Sequence, residues 1–295
     1  VASVFALQFP EAELRGLERL KGGVSAEVYR ADLRMPDGAG QSVVFRAAGK
    51  SGLGGAQEYE LLAALHVAGV PTPRPICFDD SRSRVEAPYV LMAFVDGAPE
   101  IPPERADERI PLMAQALAAI HELPTVSLPP LPPRVDPLPE LLAFLPAGAA
   151  WQSVRDLCGS LGVTKFSGAP VLLHGDFWPQ NLIWRDGRIA AILDWEDAAL
   201  GDPLSDLASA LLELKYLFED RLAHRFEAAY RRHLPVDARR LALWQIYVAA
   251  AAQHFMGAWG LEPSREDRMR RTALRQIREA AEILGPAVPV ELRHP

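Results

Sequence analysis

Apolar and polar positions divide the chain into two differently patterned parts. Residues 20–46 read as short strands: a glycine turn at Lys21-Gly22-Gly23, a run over 27–33, a turn at Pro36-Asp37-Gly38 and a run over 42–46. Together they predict an antiparallel meander. Over 57–68, Tyr59, Leu61, Leu62 and Leu65 recur at helical spacing, and Gly69 and Pro71 end the segment, so one amphipathic helix is expected beside the sheet. An apolar run over 88–95 closes at Asp96-Gly97. Beyond it the pattern lengthens into helical segments, which puts the boundary near Val95 and divides the chain into a lobe of residues 1–95 and a larger one of 96–295.

In the second part, 110–123 reads as a helix with Leu112, Leu117 and Ile120 toward the core. Seven prolines between Pro124 and Pro139 predict a loop or extended strap, because proline blocks both helix and ladder hydrogen bonds. Short apolar runs at 171–173 and 189–193 each end in a polar cluster, and helices are expected over roughly 204–217, 220–233, 237–259 and 264–284. Trp244, Tyr247, His254, Phe255 and Trp259 fall at helix-core positions.

Composition narrows the classes. With 295 residues, 49% of them apolar and 23% charged, a packed core is expected in one large domain or two joined lobes. A net charge of −7 supplies no global basic field, so nucleic acid is not an expected partner. The most apolar stretch, 247–252, is broken by Gln253 and His254, so no membrane partner is expected. Cys77 and Cys158 form no CxxC, and the first residues lack a cationic start and a long apolar run; a reducing cytoplasm is the expected compartment. Nothing in the pattern sets an oligomeric state.

The chemistry concentrates in His174-Gly175-Asp176-Phe177-Trp178-Pro179-Gln180-Asn181, then Leu193-Asp194-Trp195-Glu196, then Gly201-Asp202-Pro203-Leu204-Ser205-Asp206. Polar groups stand where apolar runs end, which is where a scaffold presents side chains. Singly, each has a structural explanation: a cap, a turn, a hydrogen-bonded histidine. Jointly they differ, since Asp176 and Asn181 lie five positions apart and a further apolar run returns the chain to Asp194. Phosphoryl transfer needs this set: a carboxylate to orient a hydroxyl, and an amide oxygen with a second carboxylate to hold magnesium.

These motifs resemble those of the aminoglycoside phosphotransferase family, the small-molecule branch of the protein-kinase-like fold. Its HGDxxxxN signature stands here as HGDFWPQN at 174–181, and its IDWxxxxxGDPxxDLA signature as LDWEDAALGDPLSDLA at 193–208. The resemblance implies an α+β, bilobal fold, with a small antiparallel-sheet N-lobe carrying one main helix and a larger, mainly helical C-lobe. It implies transfer of the γ-phosphoryl group of ATP or GTP to a small-molecule hydroxyl, with Mg2+. By it Asp176 is the catalytic carboxylate, Asn181 and Asp194 are the magnesium ligands, His174 supports the catalytic loop, and Asp202 and Asp206 brace it.

For the nucleotide side, the resemblance implies a phosphate-covering hairpin at Gly22, Gly23 and Ser25, and a strand cation paired to a helix carboxylate, supplied by Arg46 and Glu58. Arginine departs from the kinase lysine, keeping the charge but in a planar fork. Met92 would border the adenine pocket at the lobe junction, with the Ala93 carbonyl and Val95 amide as backbone partners. Gly49-Lys50-Ser51 is not the end of a Walker A loop, which needs glycine at position 44, where valine stands. The acceptor is expected around Trp178, Glu196, Asp197 and 244–262. Polycationic aminoglycosides call for acids there, whereas Arg265, Arg268, Arg270, Arg271, Arg275 and Arg278 crowd the last helix, so the acceptor stays open between an antibiotic and a metabolite. The alternative is a non-catalytic nucleotide-binding regulatory or scaffold protein. Retention of Asp176, Asn181 and Asp194 argues against it. A two-metal phosphate-ester hydrolase lacks a compact set of further ligands.

Overall fold

The computed structural model describes residues 1–20, 27–47, 52–146, 148–160, 166–218 and 220–285. They form two compact units. The first comprises Val1–Glu100, Thr125–Leu131 and Gln180–Ala198, and the second Ile101–Pro124, Pro132–Pro179 and Ala199–Pro295. Neither is contiguous, so the division differs from a single cut at Val95. Backbone bonds account for the difference: Trp184 exchanges bonds with Ala98 (2.9 and 3.0 Å), and the Ile192 amide donates to Pro71 O at 2.7 Å.

The first unit is built on a five-stranded sheet in the order β1-β2-β3-β5-β4, antiparallel throughout: β1 Glu13–Arg19, β2 Val28–Arg34, β3 Gly40–Ala47, β4 Pro75–Asp79 and β5 Tyr89–Ala93. The expected meander is β2 and β3, in the register Val28↔Arg46 through Arg34↔Gly40. Val43 and Phe45 of β3 join Ala31, Leu33, Tyr89 and Leu91 in a core closed by Val4 and Phe5 of α1 (Ala2–Gln8). Side chains alternate along a strand, so Arg46 points to the opposite face. There it meets α2 (Gly55–Val67), whose buried stripe is Glu58, Leu61, Leu62 and Leu65 at helical spacing. The unit also holds a hairpin, β8 (Leu182–Arg185) and β9 (Arg188–Ile192). Its turn is Asp186-Gly187, both at positive φ (52° and 75°), as a tight hairpin of right-handed twist requires.

The second unit is mainly helical. It contains α3 (Ala106–His121), α4 (Glu140–Phe144), α5 (Ala149–Ser160), α6 (Pro203–Leu217), α7 (Asp220–Tyr230), α8 (Ala238–Phe255) and α9 (Pro263–Leu284). A three-stranded sheet, β6 (Pro133–Arg134), β10 (Ala199–Gly201) and β7 (Val171–Leu173), has β10 at its centre. One core cluster draws Leu212 from α6, Ile246 and Ala249 from α8, and Ala273, Ile277 and Ala281 from α9. Some expected core positions differ. Leu112 is exposed, because the buried stripe of α3 runs through Ile110, Met113, Ala114, Leu117 and His121. Trp244 is buried, but His254 and Phe255 at the end of α8 and Trp259 beyond it are exposed. No helix among the described residues is long and apolar enough to cross a membrane.

Candidate functional site

In the first unit Glu58, Asp194 and Glu196 gather around Arg46. Its Nη1 donates to Glu58 Oε2 at 2.6 Å, and its Nη2 to Asp194 Oδ1 at 3.0 Å and Glu196 Oε2 at 2.5 Å. One buried guanidinium thus meets three carboxylates. Burial pushes the Glu58 and Asp194 carboxyls up from their ordinary values; Arg46 opposes the shift, and the neighbouring acids reinforce it. Glu196 is held through its backbone as well, accepting the Leu53 amide at 2.6 Å. Gly52, at φ +81°, allows that approach, for a Cβ there would lie 2.6 Å from Glu196 O. Glu196, expected among the acceptor-lining residues, is found paired with Arg46.

The β8–β9 hairpin places the two expected metal ligands. Asn181 precedes β8, and Asp194 follows β9 with Leu193 between them. Leu182 pairs with Ile192, and the Leu193 amide donates to Asn181 O at 2.8 Å, which sets Asn181 and Asp194 at the same end of the ladder. Asp194 has φ +61°, a left-handed conformation uncommon outside glycine and concentrated at functional positions. A carboxylate and an amide oxygen are hard donors, and the acids around Arg46 leave negative charge in excess; a divalent cation fits this set. Met92 and Ala93 lie in β5 opposite Val44 and Val43, with the Ala93 amide bonded to Arg74 O, and Val95 follows half-buried. Gly22, Gly23 and Ser25 lie outside the described residues, as do Lys21 and Lys50.

Asp176 belongs to the second unit, in the loop after β7. The loop is held by Asp206 on α6, whose Oδ2 accepts the His174 amide at 2.7 Å and whose Oδ1 accepts the Gly175 amide at 3.0 Å. His174 is fully buried against the edge of Phe177, and its Nδ1 accepts the Asp176 amide at 3.2 Å. Burial works to raise the Asp206 carboxyl, yet the His121 hydrogen bond and nearby positive charge hold it below its ordinary value. Asp202 acts elsewhere. Its Oδ1 caps α6 at the Leu204 amide (3.0 Å), and its Oδ2 accepts from Arg240 Nε and from Trp244 Nε1 (2.6 Å) on α8. Of the two aspartates expected to brace the loop, Asp206 does so, whereas Asp202 ties α6 to α8. Sequence reasoning also passed over Glu213 on α6. Burial and the negative charge of Asp176 push its carboxyl up to about 8. Its signal was an acid seven positions after Asp206, on the same helix face.

A five-stranded antiparallel sheet with one main helix, a mainly helical second unit and acids at these strand ends define the protein-kinase-like fold in its aminoglycoside phosphotransferase form. The chain belongs to the phosphotransferase enzyme family, whose profile matches residues 16–244. Viomycin phosphotransferase of Streptomyces vinaceus is 27% identical over 161 residues, 48% of this chain and 55% of that protein. Acyl-CoA dehydrogenase family member 10 of Mus musculus is 26% identical over 174 residues, 53% of this chain and 16% of that protein. The matches thus span about half of the first relative and a sixth of the second. Among solved structures, a thermostable mutant of aminoglycoside phosphotransferase APH(4)-Ia, in ternary complex with AMP-PNP and hygromycin B, is similar with a TM-score of 0.66 at 15% identity, covering 94% of this chain and 98% of that one. Choline kinase LicA from Streptococcus pneumoniae is similar with a TM-score of 0.64 at 19% identity, covering 94% and 97%. At these identities the likeness is one of fold.

Proposed function

We propose that the chain is a small-molecule kinase that transfers the γ-phosphoryl group of ATP or GTP to a hydroxyl of an antibiotic or metabolite. The observation that carries this reading is the pairing of Asn181 with Asp194 at one end of the β8–β9 ladder, beside the Arg46–Glu58 ion pair, with Asp176 five residues before Asn181. Asn181 and Asp194 would hold Mg2+, which when bound neutralises charge on the phosphates. Arg46, oriented by Glu58, directs its guanidinium at the α- or β-phosphate. Ala93 and Val95 offer backbone groups to the base, with Met92 beside it.

Asp176 aligns the acceptor hydroxyl and takes its proton as the new O–P bond forms. The bond from the γ-phosphorus to the bridging oxygen breaks, and the nucleoside diphosphate leaves with that electron pair. Because such transition states are loose, alignment and charge stabilisation carry most of the rate, which suits a loop pinned at the His174 and Gly175 amides. The test is a screen for ADP or GDP release against a panel of small alcohols and antibiotics, repeated with Asp176→Asn. That variant keeps the shape and removes the base, so kcat should fall by roughly 10²–10⁴ with nucleotide affinity nearly unchanged. Wild-type turnover by Asp176→Asn would overturn the mechanism. Tight nucleotide binding with no acceptor across the panel would favour a regulatory or scaffold protein.

A further inference from the structure

The face of the five-stranded sheet turned away from α1 carries a polar cluster that takes no part in the network around Arg46. Cross-strand register lays the residues of this face in rows: Val28, Arg46 and Val90, then Arg30, Val44 and Met92, then Asp32 and Ser42. On the phosphotransferase reading Arg46 makes the first row the phosphate end, and Val44 with Met92 makes the second the place of the base. Phe94 follows β5 beside the third row, where its amide donates to Ser42 O at 3.1 Å.

Arg30 closes this row. Its Nε donates to Asp32 Oδ1 at 2.9 Å and its Nη2 to Ser42 Oγ at 3.3 Å, while the Ser42 hydroxyl donates to the same Asp32 oxygen at 2.6 Å. The Ser42 bond, reinforced by Arg30, holds the Asp32 carboxyl below its ordinary value, so it stays an ionised acceptor. These bonds fix the plane of the guanidinium, whose Cζ lies 4.1 Å from the centre of the Phe94 ring. Phe94 is therefore held at its amide by Ser42 and at its ring by Arg30.

That grip sets what the neighbouring backbone offers. The Ala93 carbonyl is trans to the Phe94 amide in one peptide unit, so the bond to Ser42 turns that carbonyl away from β3. The Ala93 amide is already taken by Arg74 O at 2.8 Å. In an extended chain the Val95 amide faces the same edge as the Ala93 carbonyl, so the edge reads acceptor first and donor second. Adenine complements that order, with an exocyclic N–H beside a ring nitrogen; guanine presents the reverse, an exocyclic oxygen beside a ring N–H. To pair with guanine the segment would have to slide by about one residue, ~3.3 Å along an extended chain. A Phe94 fixed at both amide and ring opposes that slide.

We propose that Arg30 and Phe94 determine donor specificity: by clamping the segment from Ala93 to Val95 in the order that adenine complements, they make the chain select ATP over GTP. This selection rests on the phosphotransferase reading, with Ala93 and Val95 as the base partners.

The measurement is equilibrium binding of Mg-ATP and of Mg-GTP to the full chain without acceptor, in wild type, Arg30→Ala, Arg30→Lys and Phe94→Leu. Wild type should prefer Mg-ATP by about 100-fold or more, because a site built for one hydrogen-bond order rejects the reverse. Arg30→Ala and Phe94→Leu should each cut that preference about tenfold, and Arg30→Lys, which keeps the charge and loses the planar fork, should fall between. A purely structural role would weaken both nucleotides alike and leave the ratio unchanged. In the nucleotide-free chain, hydrogen exchange at the Phe94 amide should speed about tenfold in Arg30→Ala, and unaltered exchange there would remove the clamp. A ratio unchanged in both Arg30→Ala and Phe94→Leu, or a wild type that binds Mg-GTP as tightly as Mg-ATP, overturns the donor assignment and leaves the phosphotransferase reading in place. Failure of wild type to bind either nucleotide overturns both.

Discussion

Replacing Arg46 by methionine keeps a stem of similar length and removes the guanidinium that meets Glu58, Asp194 and Glu196. The Glu58 side chain is only 4% exposed, so water cannot take over from the lost cation. Breaking a buried pair from one side costs about 3–5 kcal/mol when the remaining charge is uncompensated. The sign of the pH dependence follows from burial and the neighbouring acids, which already raise the Glu58 and Asp194 carboxyls against the pull of Arg46. Without Arg46 they rise further. A carboxyl raised in the folded state favours folding fully below its unfolded value and loses that contribution as pH climbs toward the folded value. The deficit of Arg46→Met should therefore be small near pH 4.5 and grow as pH rises, with ~2–4 °C per kcal/mol giving a melting-temperature loss of about 10 °C once the carboxylates are ionised. Thermal unfolding at pH 5 and pH 8 measures it, with Arg46→Met/Glu58→Gln as the third protein. The double variant, which no longer buries an unpaired Glu58, should recover about half of the loss at pH 8. Equal losses at both pH values with no recovery would show that the carboxylates are solvated and that Arg46 acts only through packing.

Three further outcomes are expected. Asp194→Ala should weaken Mg-ATP binding at least tenfold in calorimetry while leaving metal-free nucleoside affinity unchanged, and equal losses for both would remove Asp194 from the metal site. Glu213→Gln should stabilise the protein increasingly from pH 5 to pH 8, by up to a few kcal/mol once partial exposure is discounted, because a carboxyl raised to about 8 favours folding below its unfolded value of 4.5 and loses that advantage above it; a pH-independent difference would refute this. Trp244→Phe deletes the indole donor to the buried Asp202 and should cost roughly 1.5–3 kcal/mol in urea unfolding; no change would mean that Arg240 alone satisfies that carboxylate.

The parts of the fold that follow a period were legible. The β2–β3 meander, α2 and the four long C-terminal helices bury stripes that pattern alone locates. β1 was not, because as an edge strand it carries Glu13, Arg15, Glu18 and Arg19 and shows almost no buried face. β8 is four residues long and abuts the HGDFWPQN motif; its readable signal was the Asp186-Gly187 turn between two short apolar runs. The Arg46–Glu58 pair was legible through the family resemblance, which calls for a strand cation and a helix carboxylate in that order. Partners such as Glu196 with Arg46, or His121 with Asp206, were not, since they join residues 150 and 85 positions apart. Asp202 and Asp206 share one motif and one helix, and sequence could not tell that the first aspartate caps α6 while the second faces the loop.

The buried acids of the two units differ in a way that bears on the proposed chemistry. Asp206 is saturated: two backbone amides donate to it, the His121 imidazole lies within hydrogen-bond distance, and its carboxyl lies below the ordinary range against the penalty of burial. Such a group has little left to offer a ligand and much to contribute to rigidity. Glu58, Asp194 and Glu196 share one guanidinium, and two of them, Glu58 and Asp194, are raised above their ordinary values by burial that Arg46 does not offset. That set gains from a further cation, so metal and nucleotide binding would relieve repulsion already present in the free protein. The Asp176–Asn181 segment runs from the first kind of environment into the second, with Asp176 in the unit of the saturated acid and Asn181 in that of the repelling ones. On the proposed reading, Mg-nucleotide should then stabilise the first unit far more than the second. Hydrogen exchange should show added protection in α2 and the β8–β9 hairpin and almost none at the His174 and Gly175 amides; protection confined to the latter would reverse the assignment of ligand-binding and rigid halves.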